Sequence, residues 1–160
     1  MLFCAASIAS PACVASGGPD VNDLKDPDKL LALRHNASQQ DRLLADKMYR
    51  HATEAAKKDA ASAAKAFGES ALICPTSRAL AGLAEHRAKM LAKKHDDVKR
   101  EALREISAYL NSAERLNAVD KLLTLEEARW LAEDKACINQ RLANQDTRTE
   151  CRPMQWLEMR

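Results

Sequence analysis

β-Branched residues, glycines and aromatic residues are all scarce in this chain. It contains four valines, four isoleucines, four glycines and two each of phenylalanine, tryptophan and tyrosine, against 30 alanines. Strands prefer β-branched and aromatic side chains, whereas alanine, leucine, lysine, arginine and glutamate lose least on entering a helix. The composition therefore predicts an all-α protein. So few glycines also leave little backbone for a glycine-rich phosphate-binding loop.

The motifs that usually carry catalysis or metal binding are missing as well. The sequence has no nucleophile-elbow serine and no paired cysteines at zinc-binding spacing. Its four histidines are scattered: His35, His51, His86 and His95. His51 and Glu54 stand three residues apart on one predicted helix face, but no second such pair completes a cation site. We therefore expect no enzyme activity, no metal and no cofactor.

Neither sign of charge dominates the chain. The 25 basic and 23 acidic residues leave a formal charge of +2, which argues against a dedicated nucleic-acid binder. Basic residues nevertheless concentrate between residues 87 and 104, with acids interleaved, so this stretch is either a solvated face of opposite-charge pairs or a docking surface for an acidic protein. The candidate partner surface combines four basic residues of this stretch with a tryptophan near the C-terminus: Arg87, Lys93, Lys94, Arg100 and Trp156.

Charged side chains are absent from residues 1–19, and Asp20 is the first. An uncharged run of small and apolar residues that ends in a Gly/Pro turn resembles a secretory signal peptide, and at about 15 residues the run is too short to span a bilayer. We expect a leader and linker over 1–19, a single helical domain over 20–160, and a periplasmic or secreted protein. Acylation of Cys13 would add a lipid anchor. The alternative is a cytoplasmic protein that keeps this segment.

Helix-start and helix-stop signals divide the remaining chain into about seven helices. Capping residues or a proline mark four predicted boundaries: Asp26-Pro27-Asp28, Ser38 with Asp41, Cys74-Pro75, and Thr124 with Glu127. Near Lys58-Asp59 the second helix either runs on or breaks. Asn111 with Glu114 predicts a further start, and Pro153 lies near the start of a short terminal helix. Leu44, Met48 and Ala52 are expected on the buried face of the second helix, and Val98 on that of a later one. Short turns between such helices are typical of a helical bundle or a helical-hairpin array.

One of these hairpins looks like a tetratricopeptide repeat. Ala63, Phe67 and Pro75, followed by Leu80 to Ala84, are similar to the end of one repeat and the start of the next. No second copy of the pattern occurs, and such arrays normally need about three repeats. We interpret the segment as an ordinary helical hairpin of tetratricopeptide-like shape.

Two cysteines in the C-terminal third predict a disulfide. Cys137 and Cys151 enclose a polar loop of about 15 residues, and their bridge would contribute on the order of 3 kcal/mol. It would hold the tail that carries Trp156 against the helix that carries Trp130. In a reducing compartment both would be free thiols. Cys74, next to Pro75, is expected to be a buried small apolar residue.

The same third of the chain resembles a known family. Trp130 within the segment Leu125–Leu131, then Cys137 and Cys151, and a late arginine are similar to the LprI-type lysozyme-inhibitor domain. Asp41, Leu44 and Tyr49 match the aspartate, leucine and tyrosine of that domain's first helix. The resemblance implies an exported helical protein that binds and inhibits a lysozyme. More broadly, the sequence predicts a binding protein, either an exported inhibitor or envelope adaptor or an intracellular tetratricopeptide-like scaffold.

Overall fold

Six α-helices and one short 3-10 helix make up most of the chain that the computed structural model describes, residues 20–91 and 96–144. The helices are η1 (Val21–Lys25), α1 (Pro27–Asn36), α2 (Gln39–Ala56), α3 (Ala60–Ile73), α4 (Ser77–Leu91), α5 (Asp96–Asp120) and α6 (Leu125–Ala143). No strand occurs within these ranges. The all-α prediction is confirmed, with six α-helices in the described part rather than about seven.

Capping side chains begin the helices where the sequence predicts them. The Asp26 carboxylate accepts the backbone N–H groups of Asp28 and Lys29 at the start of α1. Reciprocal capping boxes begin two other helices, Ser38 with Asp41 in α2 and Thr124 with Glu127 in α6. Asp59 caps α3, and α3 ends at Ile73, before Cys74-Pro75. Because the caps satisfy otherwise unpaired N–H groups, they fix these helix ends locally.

The predicted helix start at Asn111 is wrong. α5 runs without a break from Asp96 to Asp120, so Asn111 is an exposed residue in its middle. Ile106, Leu110 and Ala113 are all fully buried at helical spacing. A continuous apolar stripe of this kind outweighs a single capping pattern that lacks a helix breaker.

Successive helices pack against each other, with α2 on α3, α3 on α4, α4 on α5 and α5 on α6. Both η1 and α1 return to α5, which therefore contacts four other elements. One apolar cluster runs through the array from Leu24 to Ile138. This arrangement is a helical-hairpin array closed on one side by η1 and α1.

The tightest contact joins α3 to α4 through Phe67 and Gly82. Phe67 is fully buried, and its ring stacks edge-on against Tyr49 and in a tilted geometry against His86. A Cβ at Gly82 would lie 2.8 Å from the Phe67 ring. The glycine is therefore needed for the close approach of the two helices.

Two expected buried positions are exposed instead. On α2, Ala52 is buried as predicted and Met48 is half-buried, but Leu44 is 46% exposed and the neighbouring Ala45 is buried in its place. On α5, Val98 is 54% exposed. Exposed apolar side chains such as Leu44 are considered again with the candidate site.

Candidate functional site: an arginine-lined cavity at one end of the array

Three interhelical turns lie at the same end of the molecule. They join α1 to α2, α3 to α4 and α5 to α6, at residues 37–38, 74–76 and 121–124. Short turns make neighbouring helices antiparallel, so every second turn falls at the same end. We name this region the three-turn end.

Asp120 and Arg34 tie this end together. The side chain of Asp120 is fully buried and accepts hydrogen bonds from Ser77 N at 2.8 Å, Ser77 Oγ at 2.7 Å and Leu122 N at 3.1 Å. Arg34 Nη1 donates to the Pro75 carbonyl at 2.8 Å and lies 4.0 Å from Asp120 Oδ2. The last turn of α1 is therefore bonded to the α3–α4 turn, and the last turn of α5 to the first residue of α4.

A cavity of about 260 Å³ opens at the three-turn end. Its lining includes three arginines and three apolar side chains: Arg34, Arg42, Arg78, Ala45, Cys74 and Leu122. The arginines belong to α1, α2 and α4 respectively. We name this feature the arginine cavity.

The guanidinium groups of the cavity are only partly neutralised. Arg34 is engaged by Pro75 and Asp120, as described above. Arg78 Nε is buried and has no hydrogen-bond partner within the described ranges. Asp46 also lines the cavity, but its carboxylate already pairs with Arg50 at 2.7 Å. The lining therefore holds three arginines against one aspartate, and the carboxylates of Asp41 and Asp120 are also close enough to act on Cys74.

Cys74 forms part of the cavity wall and is not an activated thiol. It is a free cysteine and 2% exposed. Burial raises the pKa of its thiol, and the nearby Arg34 and Arg42 only partly oppose this effect. A protonated, buried thiol is a poor nucleophile, so Cys74 contributes apolar surface.

Large apolar side chains are exposed at the three-turn end. Their exposed fractions are 66% for Leu43, 46% for Leu44, 61% for Val119, 36% for Leu122 and 93% for Leu125. Leu122 lines the cavity itself. Leu43 and Leu44 lie near the start of α2, Val119 lies near the end of α5, and Leu125 is the first residue of α6. We name these five residues the apolar rim. A concentration of exposed apolar side chains is typical of an interaction surface.

Two residues of the sequence-predicted partner surface are described, and neither lines the arginine cavity. Arg87 is half-buried on α4 and lines an apolar groove of about 350 Å³ between η1, α3 and α4. Arg100 is exposed on α5. Lys93, Lys94 and Trp156 lie outside the described residues, so this surface stays a prediction.

The predicted disulfide is only partly within the described chain. Cys137, on α6, is disulfide-bonded, while Cys13 and Cys151 lie outside the described residues. The pairing of Cys137 with Cys151 stays a prediction.

The histidines form no metal site in the part of the chain that the structure describes. His35 and His51 are exposed, whereas His86 is buried with Nδ1 2.9 Å from the Gly82 carbonyl. Over 20–91 and 96–144, no group of three or more histidine, cysteine or carboxylate side chains could hold a metal ion. His95 lies outside these ranges.

Buried titratable groups occur away from the cavity, near α5 and α6. Desolvation raises the pKa of Asp134 to about 7, and the charges of Glu133 and Glu85 add to the shift. Desolvation also raises the pKa of Tyr109 to about 12, with a further contribution from Glu105. A carboxyl group and a phenol group are therefore desolvated on this side of the array.

Sequence reasoning missed the arginine cavity because its three arginines are far apart in the sequence. Arg34 is in the last turn of α1, Arg42 in the first turn of α2, and Arg78 at the start of α4. The available signal was their common position beside every second turn. Antiparallel packing brings such positions together, whereas a search for local charge concentrations does not find them.

No family model matches the chain, and no curated protein or solved structure matches it significantly. The resemblance to the LprI-type domain therefore stays a prediction. Among the helices that the structure describes, none combines the length and apolar character needed to cross a bilayer.

Proposed function

We propose that this protein works by binding another protein, which docks on the three-turn end. The observation that supports the proposal is the apolar rim, whose five exposed side chains lie at the same end of the array as the arginine cavity. Apolar anchors together with arginines are typical of the energetic centre of protein interfaces. The complementary surface of the partner would be apolar and would carry carboxylates.

The proposal includes export to the periplasm or to the outside of the cell. Its support is the uncharged, signal-like stretch over 1–19. An exported binding protein of this kind would act as an inhibitor or an envelope adaptor, without a catalytic step of its own.

Two exposed valines of α5 provide a matched test of the docking surface. Val119 belongs to the apolar rim, and Val98 is similarly exposed near the other end of the same helix. Their separation of 21 positions corresponds to about 31 Å along the helix. A photocrosslinking amino acid would be placed at Val119, at Leu43 or at Val98 of the full chain in its native cells.

We expect one protein to crosslink from both Val119 and Leu43 but not from Val98. The crosslinked protein would then be purified, and its affinity measured calorimetrically. Val119→Glu should weaken that affinity at least tenfold, because it places a charge among apolar contacts, while Val98→Glu should leave it unchanged. Equal crosslinking from Val98, or no adduct from either rim position, would refute docking at the three-turn end.

A narrower form of the proposal is inhibition of a lysozyme, and it is supported by the resemblance of Leu125–Leu131 and the late cysteines to the LprI-type domain. The purified, oxidised protein would be assayed against a panel of lysozymes by the rate of cell-wall lysis. We expect inhibition that is lost on reduction of the disulfide. A protein that leaves every lytic rate unchanged rules out this form, without affecting the broader proposal.

The second candidate is an intracellular scaffold, favoured by the consecutive hairpins of α2 to α5, which resemble a tetratricopeptide-like array. The intact mass of the protein from its native cells distinguishes the two. A full-length chain with at least three free thiols supports the scaffold. A product that begins near Cys13 or Ser16 and is two hydrogens lighter supports export.

A further inference from the structure

We infer that the arginine cavity receives a carboxylate carried on an apolar group, supplied by a side chain or chain end of the docked partner. This inference rests on the proposed function and specifies the chemistry at the centre of its docking surface. The carboxylate would lie between Arg42 and Arg78, with its apolar part against Leu122 and Ala45.

The arginines explain why the ligand is an anion. They converge from three different helices on one partly enclosed space. Within the described ranges Arg34 lies 4.0 Å from the Asp120 carboxylate, whereas Arg42 and Arg78 line the cavity without a carboxylate partner. A carboxylate in the cavity would pair with these two guanidinium groups, and its charge-assisted bonds would be stronger than neutral ones.

The neighbouring helix end explains why a carboxylate is favoured over a phosphate. Phosphates commonly bind the free N–H groups at a helix N-terminus. At the start of α4 two such groups are already occupied, because Asp120 accepts from Ser77 N at 2.8 Å and Thr76 Oγ1 accepts from Ala79 N at 3.2 Å. The arginines therefore provide the main binding groups. Guanidinium binds carboxylate and phosphate alike, and the apolar wall formed by Ala45, Cys74 and Leu122 favours an anion that carries an apolar part.

The size and walls of the cavity indicate a small anchor. The cavity measures about 260 Å³, close to the lower end of the range of about 300–1,000 Å³ that is usual for small-molecule pockets. Ala45, Cys74 and Leu122 supply apolar wall. A carboxylate with a few attached carbons fits inside this volume.

Three small probes test this chemistry on the full-length protein. Hexanoate carries a carboxylate on an apolar chain, hexanamide is its uncharged counterpart, and inorganic phosphate is an anion without an apolar part. Binding would be followed through the backbone amide NMR signals of Ala45, Cys74 and Leu122. We expect saturable shifts with hexanoate, at a Kd on the order of millimolar, and at least tenfold weaker binding of the other two probes.

Two variants and one control locate the binding site. Arg78→Gln and Arg42→Gln should each weaken hexanoate binding about tenfold, as expected for loss of one charge-assisted contact. Arg42 is exposed on the surface of α2, so its variant should fold normally even if Arg78→Gln does not. Arg104→Gln removes the same charge from an exposed site on α5 and should leave binding unchanged.

The outcomes separate this inference from the docking proposal. Hexanoate binding that equals hexanamide or phosphate binding, or that Arg104→Gln weakens as much as Arg42→Gln does, overturns the inference. If hexanoate fails to bind while a partner still crosslinks from Val119 and Leu43, only the inference is wrong. If hexanoate binds as expected but no partner crosslinks, the cavity is a carboxylate site and docking of a protein is wrong.

Discussion

The α3–α4 and α5–α6 interfaces differ in the kinds of contact that hold them together. Between α3 and α4 the central contact is the Phe67 ring against the backbone at Gly82. Between α5 and α6, Ser107 Oγ donates to Asn139 Oδ1 at 2.7 Å and Lys135 pairs with Glu114. One interface therefore depends on shape and close approach, and the other on charge and hydrogen bonding. Their responses to mutation and to pH should differ accordingly.

The largest effect is expected from Phe67→Ala in the shape-dependent interface. Removing a fully buried ring that contacts α2 and α4 should lower the free energy of unfolding by about 3–5 kcal/mol. Leu125→Ala is the control, since Leu125 is 93% exposed, and it should change stability by less than about 0.5 kcal/mol. Chemical denaturation measures both. Equal losses in the two variants would contradict the structure at this interface.

Asp134→Asn should show a pH-dependent effect in the polar interface. The folded-state pKa of Asp134 is raised from 3.8 to about 7 by burial and by Glu133 and Glu85. The folded wild type therefore binds more protons than the unfolded chain between about pH 4 and pH 7, and its stability falls across that window. Asparagine removes this fall, so the stability of the variant relative to wild type should rise by roughly 2–4 kcal/mol from about pH 4 to about pH 8. Denaturation curves at several pH values measure the difference, and parallel profiles would show that Asp134 is not desolvated.

A pair of glycine substitutions gives smaller effects of opposite sign. At Gly82 a methyl group would lie 2.8 Å from the Phe67 ring, whereas at Gly68 the nearest atom, Leu83 Cδ1, is at 3.9 Å. Gly82→Ala should cost about 1–2 kcal/mol, because overpacking exceeds the gain in helix propensity. Gly68→Ala should stabilise by about 0.5–1 kcal/mol. Thermal melting distinguishes them, and stabilisation in both would mean that α3 and α4 are not in close contact at Gly82.

The helix boundaries were predictable because their causes are local. A capping aspartate, a proline or a capping box acts within three or four residues, so Asp26, Ser38 and Thr124 mark helix starts without knowledge of the rest of the chain. The exposure of Leu44 and the continuity of α5 were not predictable in this way. They depend on which face of each helix its neighbours cover, and that is decided by packing.

The candidate site was less predictable than the fold. The partner surface predicted from the sequence used local charge density, as in the run from Arg87 to Arg100. The arginine cavity instead combines Arg34, Arg42 and Arg78 across three helices. Its recognition requires knowing which turns share an end of the array, and that follows only once the helix count is correct.

The bonds around Asp120 have a consequence for the order of folding. Arg34 to Pro75 and Ser77 to Asp120 join positions 41 and 43 residues apart, so each encloses whole helices that must already be in place. Closing them orders more than forty residues for a few hydrogen bonds, and we expect them to form after the rate-limiting barrier, with low φ-values. Loss of the Asp120 carboxylate should then shorten the lifetime of the native state while the refolding rate stays nearly constant. The hydrogen bonds of Asp120 would thus slow the unfolding of the end of the molecule that carries the apolar rim, although they form late in folding.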